Sequence, residues 1–136
     1  MNNLTHERTY GSYHRGGEVM VDAFVGEISG VRVLLLRPQN HFFRGERVYG
    51  GGYDEREAYL FFCRASLELL RESMRQPDVI HLHEWHTCAA ALLYWDMYHE
   101  MGLDKQKLML TIHNLTKMAG AEDTTGTLAC VARVAI

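Results

Sequence analysis

PDVIHLHEWHTCAAALLYWDMYHEMGLDKQKLMLTIHN, residues 77 to 114, decides the fold. Within it, VIHL (79–82) is a short β-branched run and KLMLTI (107–112) is a second apolar run. Both have the length of strands. Between them CAAALLYWDMYHEM reads as a helix, with Thr87 as its candidate N-cap and Gly102 as its C-cap. Strand, helix, strand is a βαβ unit, which predicts two parallel strands and a crossover helix. The topology also places the chemistry. His-Glu-Trp-His follows the first strand directly, and His113-Asn114 follows the second. Both clusters therefore fall at the carboxyl edge of one parallel sheet, where open α/β sheets take ligands.

Upstream, DEREAYLFFCRASLELLRESMR (54–75) predicts a helix opened by Asp54. Acids fill its first turn and arginines lie near its end, which complements the helix dipole. Ala58, Phe61, Phe62, Ala65 and Leu69 make an apolar stripe at helical spacing. Pro77-Asp78 is expected to end it. Residues 18–37 predict a hairpin: Val19, Val21, Ala23 and Val25 alternate on one face, Ser29-Gly30 turns the chain, and Val31 to Leu36 returns to a stop at Pro38. Residues 39–53 form a loop rich in glycine and aromatics. Residues 1–17 are polar, with no apolar period, and are expected to be an extended or disordered lead-in. The expected class is α/β.

The 136 residues suffice for one domain with a core. A net charge of −3, with no basic block, speaks against a nucleic-acid surface. No apolar run reaches the length of a membrane span, and no partner membrane is expected. The first residues lack the apolar core of a signal peptide and make a poor transit peptide. Cys63, Cys88 and Cys130 are odd in number and widely spaced, so they read as reduced thiols of an intracellular protein.

Several chemistries compete for the two polar clusters. His81, His83 and His86 could ligate zinc. Their spacing, however, is not the helical His-Glu-x-x-His of a zinc protease, and His86 lies past the end of the strand that carries the other two. His81 is read as a core histidine bonded to a backbone group. Cys88 opens a helix beside alanines and reads as an inert buried thiol. Gly50-Gly51-Gly52 lacks the Lys-Ser/Thr of a phosphate loop. Tyr94, Trp95 and Tyr98 read as packing residues. Glu84, Trp85, His86, His113 and Asn114 offer hydrogen-bonding groups with an aromatic ring, the mixture a sugar site needs.

PDVIHLHEWHT, followed by LTIHNL, resembles the glycosyltransferase family of starch and bacterial glycogen synthases. That family shows Pro-Asp, two β-branched residues, His-x-His, Asp or Asn, and Trp. A helix follows, then a strand ending Thr-x-His-Asn. ALLYWDMY and DEREAYLFFCRASLELL look most like the class three and class four soluble starch synthases of plants and algae. The resemblance runs from Glu18 to Leu115, with residues 116–136 departing from the pattern.

It implies part of the Rossmann-like N-terminal lobe of a two-lobed GT-B enzyme, with a mainly parallel sheet and an N-terminal β-hairpin. It implies transfer of glucose from the donor substrate ADP-glucose to the non-reducing end of an α-1,4-glucan acceptor, with retention and with no metal or other cofactor. His113 matches the histidine that meets the transferred glucose, its carbonyl lying near the anomeric centre. Asn114 would shape that pocket, and His83, Glu84, Trp85 and His86 would line or brace the cleft. A plastid location follows from the same likeness.

The family has Asp or Asn where this chain has Glu84, and its Lys-x-Gly-Gly-Leu donor loop and its C-terminal lobe have no counterpart here. The chain is therefore expected to be a segment with little or no transferase activity alone, able to pair with itself or with intact synthases. A non-catalytic glucan-binding or regulatory fragment is the alternative, and a metal-dependent hydrolase a weaker one.

Overall fold

The computed structural model describes residues 2–45 and 54–113. The chain divides into two compact units, Met1–Phe61 and Phe62–Ile136. Together they are α/β, with an antiparallel sheet in the first and a parallel pair in the second.

The first unit is a meander of β1 (Asn2–His14), β2 (Gly17–Ile28) and β3 (Val31–Pro38), in that spatial order. Its two turns each carry consecutive positive-φ residues, Arg15 (45°) with Gly16 (83°) and Ser29 (51°) with Gly30 (79°). That is the type I′ geometry, whose twist matches the flanking strands. The predicted hairpin over 18–37 is thus β2 and β3, paired from Val21↔Pro38 to Ile28↔Val31.

The lead-in expected over residues 1–17 is instead the longest strand, ordered by pairing with β2 down to His14↔Gly17. Its polar sequence hid it, because a strand needs no apolar run when the ladder and a few side chains hold it. Tyr10 and Ser12 supply the buried positions, alternating as a strand requires. Val21 and Ala23 of β2 are fully buried, as the predicted stripe demanded. Asp22, between them, accepts from the Thr9 hydroxyl at 2.7 Å, Arg37 at 3.1 Å and the Gln39 amide at 3.4 Å.

Helix α1 (Glu55–Glu72) opens as expected. The Asp54 Oδ1 accepts the Arg56 and Glu57 amides at 2.9 and 3.4 Å, the N-cap arrangement. Arg15 donates to both oxygens of Glu57, at 2.8 and 2.5 Å, and ties the first hairpin turn to the first helical turn. The helix ends before Pro77. Met74 takes φ 53°, and the Arg75 amide bonds back to the Leu70 carbonyl at 2.9 Å. This left-handed C-cap is usually given to glycine, so the sequence did not announce it. Of the predicted stripe, Ala58, Phe61, Ala65 and Leu69 are buried, Phe62 is only half-buried, and Cys63 and Leu67 are buried as well.

The second unit holds β4 (Val79–His83), α2 (Glu84–Leu93), a π-helical turn (Tyr94–Tyr98) and β5 (Lys107–Thr111). β4 and β5 are parallel, in register from Val79↔Lys107 to His83↔Thr111. The helix starts at Glu84, ahead of the predicted start at Cys88 by the four residues Glu84 to Thr87. Thr87 is inside its first turn and bonds back to His83. The core gathers Leu82 from β4, Ala90, Ala91, Tyr94 and Tyr98 from the helix, and Cys63 and Leu67 from α1, with Leu103 after Gly102, which takes φ 103° but lies past the observed C-cap, His99.

The π turn is closed by the His99 amide on the Tyr94 carbonyl at 2.8 Å. It buries both tyrosines completely, whereas Trp95, expected to pack, is 56% exposed. Among the described residues, no helix is long and apolar enough to cross a membrane.

Candidate functional site

The parallel register makes the site. His83 is the last residue of β4 and sits opposite Thr111, the last of β5. Residues immediately past both therefore emerge at one edge. Side chains alternate along β4, so Leu82 enters the core while His81 and His83 stay on the exposed side.

His81 is exposed, and its ring nitrogen Nε2 meets the Thr111 hydroxyl at 2.7 Å. This corrects the reading of a core histidine bonded to backbone. A two-residue period put it on the same side as His83, and that side is not covered. Its pairing with Thr111 is the contact the sequence reading missed; the register of the two strands was the signal for it. The rings of His81 and His83 have centroids 4.1 Å apart, and those of His83 and His113 lie 6.5 Å apart and within 3° of parallel. Three imidazoles thus form a row along the edge, each able to donate or accept according to its tautomer.

Between strand and helix, the chain turns abruptly. His83 is extended (φ −127°, ψ 124°), and Glu84 takes φ 58°, the left-handed region. For a residue with a Cβ that costs about 1–2 kcal/mol. The turn swings the Glu84 carboxylate across to β5, where Oε1 accepts the backbone amide of His113 at 2.5 Å. The Thr87 hydroxyl meanwhile accepts the His83 amide at 2.6 Å and donates to the His83 carbonyl at 2.8 Å.

Trp85 and His86 occupy the first turn of α2, half-buried, with their rings stacked at 4.1 Å and 29°. Two thiols hold that turn from inside: Cys88 Sγ reaches the Trp85 carbonyl at 3.3 Å, and Cys63 Sγ the His86 carbonyl at 3.5 Å. Burial pushes the Cys63 thiol up to about 12, and Cys88 is buried too, so both read as structural groups and not as nucleophiles.

The structure therefore brings His83, Glu84 and His113 together and pairs Trp85 with His86 beside them. Asn114, the triple glycine of 50–52 and the tail 116–136 lie outside the described residues. Among the described residues, no three His, Cys, Asp or Glu side chains converge to hold a metal ion. A pocket of about 620 Å³ in the first unit is lined by Asp22, Arg37, Gln39, Phe42, Phe43 and Arg44 among others, and contains none of the predicted site residues.

Comparison with known proteins identifies the family. The profile of the starch synthase catalytic domain matches residues 2–126. The chain is 38% identical over 115 residues to soluble starch synthase 3, chloroplastic/amyloplastic, of Solanum tuberosum, taking in 85% of this chain and 9% of that protein. It is 38% identical over 106 residues to probable starch synthase 4, chloroplastic/amyloplastic, of Arabidopsis thaliana, covering 76% and 10%. A glycogen synthase of Protochlamydia amoebophila is 35% identical over 105 residues, covering 76% and 21%. The solved catalytic domain of starch synthase IV from Arabidopsis thaliana, bound to ADP and acarbose, superposes with a TM-score of 0.71 at 33% identity, over 82% of this chain and 23% of that one. The chain thus spans between 9% and 21% of the length of these three curated relatives.

Proposed function

This chain belongs to the starch and bacterial glycogen synthase family of glycosyltransferases, and we propose that it carries the glucose-contacting edge of the N-terminal lobe of such an enzyme. The parent reaction is transfer of glucose from ADP-glucose to the non-reducing end of an α-1,4-glucan, with retention and without a metal ion. The observation that carries this reading is the meeting of His83, Glu84 and His113 at the shared carboxyl end of β4 and β5.

In this reading the His113 side chain bonds a hydroxyl of the transferred glucose. Its carbonyl faces the anomeric carbon, where partial negative charge favours a developing oxocarbenium ion. His83 braces His113, and Trp85 with His86 gives the cleft an aromatic wall. Asn114 completes the pocket beyond His113. The solved Arabidopsis relative was determined with ADP bound, which supports an adenosine diphosphate sugar as donor. The chloroplastic/amyloplastic relatives support a plastid location.

The 136 residues alone transfer little or no glucose in this reading. Donor phosphates and the reacting sugar must be held together in one geometry, and positioning supplies much of the rate. The test is transfer from labelled ADP-glucose to glycogen primer by the purified chain, beside its His113→Ala variant and an active full-length synthase. No transfer with an active control supports the segment reading. Transfer that depends on His113 would keep the site assignment and overturn the inactivity. Transfer indifferent to His113→Ala would overturn the site assignment. Maltooligosaccharide binding without transfer would favour a glucan-binding or regulatory fragment.

A further inference from the structure

We propose that Glu84 is a positioning residue, which fixes His113 through its backbone amide, and not a group that meets the sugar. The β4–β5 ladder ends at His83↔Thr111. One step further the strands have ended: β4 has turned into α2, and the chain leaves β5 through Ile112 to His113. The His113 amide therefore lies beyond the last rung and has no strand partner there. The Glu84 carboxylate supplies one. Its Oε1 accepts that amide at 2.5 Å, a short charge-assisted bond.

The reach depends on the backbone. Glu84 holds φ 58°, a conformation uncommon for a side chain with a Cβ, directly after extended His83. Strain of this kind persists only where the surroundings over-determine it. Here two clamps do so from one helical turn. Thr87 grips both backbone groups of His83 at 2.6 and 2.8 Å, and Glu84 grips the amide of His113. Both act on the backbone of the two residues whose imidazoles lie parallel. Glu84 thus acts as a side-chain rung that extends the sheet by one bond. Its importance for glucose transfer rests on the proposed role of His113; the contact itself does not.

The experiment is an assigned ¹⁵N–¹H spectrum with amide exchange rates of the 136-residue chain, for wild type, Glu84→Gln and Glu84→Ala. In wild type the His113 amide proton should lie downfield and exchange slowly. Glu84→Gln keeps an acceptor oxygen and removes its charge, so the amide should stay protected while its proton moves upfield. Glu84→Ala should speed exchange of the His113 amide by about tenfold or more while Leu110, inside the ladder, is unchanged.

An unaltered His113 amide in Glu84→Ala overturns the proposal. If that variant fails to fold, Glu84→Gln decides: a His113 amide proton at the wild-type position means the carboxylate is not its partner, and the proposal fails. Transfer indifferent to His113→Ala, with the amide signature intact, would remove the proposed function and leave this contact standing.

Discussion

The imidazole planes of His83 and His113 lie 3° from parallel with their centroids 6.5 Å apart, although 30 residues of chain separate the two. Backbone contacts bring the two residues to one edge: the ladder fixes His83 opposite Thr111, and the Glu84 carboxylate holds the amide of His113. The His113 ring itself is exposed and stabilises little. His113→Ala should therefore change unfolding free energy by no more than about 0.5 kcal/mol. In a full-length synthase carrying this segment, the same change should lower transfer by about 100-fold or more. Thermal melting beside initial rates checks both. A large loss of stability with unchanged transfer would make His113 a packing residue.

The two buried tyrosines of the π turn should differ in worth. Tyr98 donates to Glu68 Oε2 at 2.6 Å, a bond to a charged acceptor. Tyr94 reaches only the Gln106 carbonyl and side chain, at 3.3 and 3.5 Å. Tyr98→Phe should cost about 1.5–3 kcal/mol and Tyr94→Phe about 0.5–1.5 kcal/mol. Urea unfolding of the pair gives the ranking, and the reverse order would contradict it.

Alkali should unfold the second unit through its buried acids. The Cys63 thiol is pushed up to about 12 by burial, from 9.0 when unhindered, and burial with the nearby Glu68 raises Tyr98 as well. Between those two values the unfolded thiol has released its proton and the folded one has kept it. Stability is therefore undiminished below pH 9 and falls as pH rises toward 12, by up to about 1.4 kcal/mol per pH unit for the one thiol. Cys63→Ala should be less stable at pH 7 but show a shallower decline above pH 9. Equal slopes for the two proteins would remove Cys63 as the cause.

Acid should act on the first unit at Asp22. The Thr9 hydroxyl, then Arg37, hold this carboxyl below its ordinary value of 3.8. Its contribution is complete above that ordinary value and is lost as pH falls through the lowered one. Thr9→Val removes the leading donor, so the acid unfolding midpoint should move to higher pH. Circular dichroism from pH 7 to pH 2 measures it; coincident curves would show that the Thr9 bond does not matter.

The sequence made the βαβ unit legible because VIHL and KLMLTI are apolar runs of strand length on either side of a helical segment. Once those strands were parallel, the shared edge of HEWH and His113 followed. What stayed hidden has a common cause: each feature is written in backbone geometry and not in hydrophobic period. β1 pairs through its ladder while its side chains remain polar. Met74 and Glu84 take left-handed backbone that nothing in their side chains advertises. The early start of α2 followed from Glu84, and Thr87 looked like a cap because its hydroxyl does bond backbone, one turn inside the helix and not at its end. The exposure of His81 followed from strand alternation, which puts it on the same side as His83.

The π turn has a consequence for descent. One extra residue rotates everything after it by about 100° around the helix axis. Tyr98 and Leu103 are both fully buried, and the Leu103 amide bonds to the Tyr98 carbonyl at 3.0 Å. Deleting one residue there would therefore turn Tyr98 out of the core. An alignment against a straight helix should place its single-residue gap within Tyr94–Tyr98.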